Sequence, residues 1–194
     1  MNRITTINWR DYQVRYFGTN PTMYIWASKH TGTQGIHGTN DLRDQESLLR
    51  ELRPDAILHE FFLNVVYDPK TGLFTIRGTG EAAIEFKRNL ENDEYRILTE
   101  TRAIKALADE LGHVVIGCDS RADRGAYNGS FEEERHLEQA SVILDYNGTV
   151  ERPRVAIIGN EHCLPNSSLH QFLRREDIHY AVIQKLEEML VMAR

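Results

Sequence analysis

The feature that most constrains this chain is a regular exchange between two kinds of segment. Short runs, apolar at consecutive positions, alternate with longer segments whose apolar residues recur at a helical period. The runs are Met23-Tyr24-Ile25-Trp26-Ala27, Ala56-Ile57-Leu58-His59, His113-Val114-Val115-Ile116-Gly117-Cys118, Arg154-Val155-Ala156-Ile157-Ile158 and His179-Tyr180-Ala181-Val182-Ile183. A strand apolar at successive residues is covered on both faces, as in a parallel sheet between helices. The longer segments are 41–52, 81–90, 94–111, 130–146 and 164–174. Leu42, Leu48, Leu49 and Leu52 mark the first, and Ile97, Ile104, Leu107, Ala108 and Leu111 mark the third. Pro54 and Gly112 stop these two. The alternation predicts an α/β fold, a single domain over 1–194 with a mainly parallel central sheet flanked by helices. Its strands fall near 23–28, 56–59, 113–118, 154–158 and 179–183. A further antiparallel pair is expected at the start, Ile4–Trp9 with Gln13–Phe17. Asp68-Pro69-Lys70-Thr71-Gly72 between two β-rich runs predicts a hairpin or lid excursion near 65–80.

Charge and cysteine content remove several classes of function. With 23 Lys+Arg against 29 Asp+Glu the net charge is −6, which argues against broad nucleic-acid binding. No apolar run reaches the roughly 20 residues of a membrane span, and the first eleven residues lack a signal-peptide core. Two cysteines, Cys118 and Cys163, cannot build a disulfide framework. The expectation is a cytoplasmic protein acting on a small molecule or peptide, with no membrane or nucleic-acid partner. Nothing in the sequence sets its oligomeric state.

In parallel sheets, ligands bind beyond the carboxyl ends of the strands. Ser28-Lys29-His30 follows the first run and Glu60 the second. Asp119, Arg121, Asp123 and Arg124 follow the third, and Gly159-Asn160-Glu161-His162-Cys163 the fourth. His30 and His162 are candidates for a metal or for acid–base work, since neutral imidazole serves both near pH 7. Glu60 lies between Ala56-Ile57-Leu58 and Phe61-Phe62-Leu63, where an unpaired carboxylate would cost several kcal/mol, about 2–7 even for an uncharged polar group. It calls for a cation, with Arg135 the first candidate and Arg121 the second. In the helix from Ser130, Leu137, Ala140, Ile143 and Leu144 form the expected apolar stripe. Arg135 falls on a second stripe with Phe131 and Val142. Cys118 reads as core. Cys163 adjoins His162, but neighbours in a chain point apart, which disfavours a thiol–imidazole dyad.

The order of these residues resembles the TraB/PrgY–Tiki superfamily, with its erythromycin-esterase-like and ChaN-like relatives. The resemblance runs from Tyr24 to Ile183. It begins at Tyr24-Ile25-Trp26-Ala27-Ser28-Lys29-His30, similar to a strand followed by Gly-x-x-His, with Ala27 in place of glycine. It continues through Arg53-Pro54-Asp55 to Glu60, through Gly112 to Asp119-Ser120-Arg121, and through Glu134-Arg135. It ends at Gly159-Asn160-Glu161-His162, a complete Gly-x-x-His. His37, in Gly35-Ile36-His37-Gly38-Thr39, resembles the His-Gly-Thr of the erythromycin-esterase-like branch and competes with His30 for the first histidine role. His30 is preferred as the nearer to a strand end.

The resemblance implies hydrolysis of peptides or esters. His30, Glu60 and His162 would hold a divalent metal (Mn, Co or Zn) or activate water. Glu60 and His162 would act as catalytic groups, and Arg121 or Arg135 would steady an oxyanion. ChaN-like relatives imply the alternative of a metal- or haem-binding protein without turnover. A third reading is a catalytically inactive interaction domain.

Overall fold

The computed structural model describes residues 11–28, 39–77, 81–92, 99–119 and 129–186. His30, His37, Arg121, Asp123, Arg124 and the expected strand Ile4–Trp9 lie outside them. Among the described residues there are eight strands, β1 (Tyr12–Phe17), β2 (Met23–Ser28), β3 (Ala56–His59), β4 (Val65–Asp68), β5 (Leu73–Ile76), β6 (Val114–Gly117), β7 (Arg154–Gly159) and β8 (Tyr180–Lys185). The same residues form five helices, α1 (Thr39–Leu52), α2 (Glu81–Glu91), α3 (Thr99–Leu111), α4 (Gly129–Asp145) and α5 (Ser168–Arg175).

All eight strands form one sheet in the order β1-β8-β2-β7-β3-β6-β4-β5. The middle five, β8-β2-β7-β3-β6, are parallel and correspond to the five apolar runs. Every residue of β2 and β3 is buried, which explains why those runs do not alternate in polarity. The flanks are antiparallel. β1 pairs with β8, β4 with β6, and β4 with β5. The turn-rich segment is therefore a hairpin whose first strand extends the sheet. β5, at the outer edge, alternates between exposed and covered positions.

Handedness distributes the helices. The chain moves outward from β2 to β3 to β6, then returns from β6 to β7 to β8. Right-handed crossovers in opposite directions place their helices on opposite faces. Accordingly, Leu48 and Leu49 of α1 and Ile104 and Leu107 of α3 pack with Trp26, Ile57 and Ile157. Ala140 and Ile143 of α4 and Leu169 and Leu173 of α5 pack with Ile25, Leu58 and Ile158 on the other face.

One expectation about α4 is corrected. Leu137 is 53% exposed, whereas Arg135, His136, Gln139, Ala140, Val142 and Ile143 are buried. The covered face is apolar only in its second half. Its first half is polar because it lies over the carboxyl edge of the sheet. Among the described residues, no helix is long and apolar enough to cross a membrane.

Candidate functional site

Three parallel strands deliver site residues to one edge. β3 ends at His59, and the chain enters a short 3-10 turn, Glu60–Phe62. That turn lies against the end of β6. A Cβ on Gly117 would stand 1.6 Å from the Leu63 carbonyl oxygen, so only glycine allows this approach. The close packing brings Glu60 beside Asp119, two residues beyond β6. β7 ends at Gly159 and runs into a second 3-10 turn, Asn160–Cys163, which carries His162.

Glu60 is fully buried. Its Oε1 accepts a hydrogen bond from Arg135 Nη2, and its Oε2 accepts one from the Gly159 backbone N–H at 2.5 Å. Arg135 also binds Asp119. Its Nε donates to Oδ1 at 3.1 Å and to Oδ2 at 2.9 Å, and Nη2 donates to Oδ2 at 2.8 Å. The planar guanidinium thus clamps two buried carboxylates in fixed orientations. Arg135 is the cation Glu60 required.

His162 is buried, with Nε2 3.6 Å from Glu60 Oε1. Its other nitrogen, Nδ1, lies 2.7 Å from Nε2 of His136. Burial, with His162 and the Arg135 guanidinium close by, lowers the His136 pKa to about 4, so this imidazole is neutral at pH 7.

The turn that carries His162 is braced by its surroundings. Gln184 Nε2 donates to Asn160 Oδ1 at 2.5 Å, and Arg15 Nη2 donates to the Cys163 carbonyl at 2.9 Å. His170 Nε2 donates to the same carbonyl at 3.0 Å, while its Nδ1 accepts from the Tyr180 hydroxyl at 3.0 Å. Burial lowers the His170 pKa to about 4, so this histidine braces the turn in its neutral form. Both cysteines are free and buried. Burial, reinforced by the charge of Glu60, pushes both thiols well up, so neither supplies a thiolate at neutral pH.

A second polar cluster occupies the opposite face of the same edge. His59 Nε2 is 3.4 Å from Glu100 Oε1, and Ser28 Oγ donates to that oxygen at 3.2 Å. Gln45 Nε2 donates to Ser28 Oγ at 3.2 Å. These residues tie α1 and α3 to the ends of β2 and β3.

The structure therefore brings together Glu60, Arg135 and His162 from segments 75 residues apart for the first two. Sequence reasoning passed over His136, Gln139 and His59. The usable signal for His136 is its spacing of four from Ala140 and seven from Ile143, which puts it on the buried face of α4. Of the three expected metal ligands, Glu60 and His162 are among the described residues, and His30 lies outside them. No group of three or more suitable side chains is found among the described residues. The chain matches no family model, no curated protein and no solved structure.

Proposed function

We propose that the chain is a hydrolase of esters or peptides, with Glu60 and His162 as its reacting pair. One observation carries this reading. An imidazole nitrogen and a clamped carboxylate oxygen stand 3.6 Å apart at the carboxyl edge of a parallel sheet, where such folds bind ligands. Glu60, Arg135 and His162 are also three of the residues on which the TraB/Tiki-like resemblance rests.

In this reading, His162 Nε2 takes a proton from the water that attacks the acyl carbon and then returns it to the leaving group. The Glu60 carboxylate stabilises the imidazolium formed between these steps. Arg135 directs its Nε and Nη2 hydrogen bonds to carboxylates, so it holds Glu60 in place. Support for the oxyanion would come from Arg121 or Arg135. A metal-assisted form would take His30 as a further ligand. Since the described residues do not complete a metal site, none of these steps runs through one.

The test is turnover of p-nitrophenyl esters and fluorogenic peptides by the full chain, with and without chelator. Wild type is expected to hydrolyse one class, and His162→Ala to lose about 100-fold or more. Loss of activity with chelator would favour the metal-assisted form. A wild-type chain inert toward both probe classes would overturn the hydrolase reading.

A further inference from the structure

We infer that His136 is a positioning residue for His162. It accepts the His162 Nδ1 proton and so leaves the Nε2 lone pair facing Glu60 and the reacting water. The catalytic consequence rests on the hydrolase reading, but the hydrogen bond does not.

Two distances carry the inference. His136 Nε2 and His162 Nδ1 are 2.7 Å apart, a short hydrogen bond in which one nitrogen donates and the other accepts. On its other side, His162 Nε2 is 3.6 Å from Glu60 Oε1. An N–H donating to a carboxylate closes to about 2.7–2.9 Å, and this gap has not closed. The hydrogen of the 2.7 Å contact is therefore assigned to His162 Nδ1, the nitrogen that has a partner at hydrogen-bond distance.

In this hydrogen bond His136 Nε2 is the acceptor, so the proton of the His136 ring sits on its Nδ1. The two rings meet edge to face, with centroids 4.9 Å apart and planes at 78°. Consecutive residues of α4 thus set the two halves of the pair. Arg135 orients Glu60, and His136 orients His162. Fixing the tautomer from behind is the usual means by which a working histidine presents its other nitrogen.

The experiment is long-range proton–nitrogen NMR on the uniformly nitrogen-15-labelled full chain near neutral pH. The His162 signals are identified by their loss in His162→Gln. Wild type is expected to show a protonated Nδ1 and a bare Nε2. His136→Gln, whose amide oxygen can accept the same proton, should keep that pattern. His136→Leu should shift it toward Nε2–H.

On p-nitrophenyl acetate, His136→Leu should lower kcat about tenfold or more with little change in KM, and His136→Gln should recover most of the loss. An Nε2–H tautomer in wild type, or an unchanged tautomer in folded His136→Leu, would overturn the inference. If His136→Leu does not fold, the wild-type and His136→Gln spectra decide. If wild type hydrolyses nothing, the hydrolase reading falls while the spectra still decide the hydrogen bond.

Discussion

His59 and Glu60 are neighbours in the chain, yet they enter opposite faces of the sheet and meet different surroundings. On the α1/α3 face, His59 joins Glu100, Ser28 and Gln45 through contacts of 3.2–3.4 Å. On the α4/α5 face, Glu60 is clamped by Arg135 and the Gly159 N–H while His162 stands off at 3.6 Å. The first cluster links two helices to two strands, which is a structural task. The second spends more on restraint, with a guanidinium, two carboxylates and a backbone donor fixing one geometry around an imidazole nitrogen. Burial alone therefore does not distinguish a site from a brace. The distinction lies in the guanidinium clamp that fixes the Glu60 carboxylate beside His162.

Removing the clamp should have the largest effect. Arg135→Met leaves Glu60 and Asp119 buried without their guanidinium, at an expected loss of roughly 3–5 kcal/mol of stability, read by denaturant unfolding. A loss below about 1 kcal/mol would mean that the carboxylates find other partners and that the two clusters are alike.

Acid should come next. His136 and His170 are both held near pKa 4 by burial, against about 6.5 in the unfolded chain. The unfolded state then binds more protons between these values. Their contribution is fully present above pH 6.5 and is lost progressively as pH falls toward 4. Tm followed across this window should drop, and His170→Gln should flatten part of the slope.

Glu100→Gln on the opposite face should cost about 1 kcal/mol and leave ester turnover unchanged. Loss of turnover in this variant would make the second cluster part of the site. The smallest effect is expected at Leu137, which is exposed. Leu137→Lys should stay within about 0.5 kcal/mol of wild type.

The five parallel strands were legible in the sequence because strands covered on both faces must be apolar without interruption. Their order was not. Runs such as Val155-Ala156-Ile157 and Ala181-Val182-Ile183 pair equally well with any apolar neighbour, so nothing in them says that β7 lies between β2 and β3. The hairpin was readable from Asp68-Pro69-Lys70-Thr71-Gly72, but its role in extending the sheet depends on β6, which is distant in sequence. Glu60 was readable from the cost of a carboxylate between apolar runs. Arg135 was reached from an incomplete helical stripe. The covered face of α4 turns polar toward its start, so a hydrophobic stripe places Leu137 in the core and overlooks His136, whereas Leu137 is exposed and His136 is buried. A hydrophobic period finds a helix face only where that face meets apolar atoms.

The most direct test of the central claim is ester hydrolysis by His162→Gln against wild type, each corrected for its folded fraction by circular dichroism. If the Glu60–His162 pair is the reacting site, the rate on p-nitrophenyl acetate falls about 100-fold or more while the unfolding transition stays cooperative. Equal rates in the two proteins, or a wild-type rate no higher than that of free imidazole at the same concentration, would contradict it.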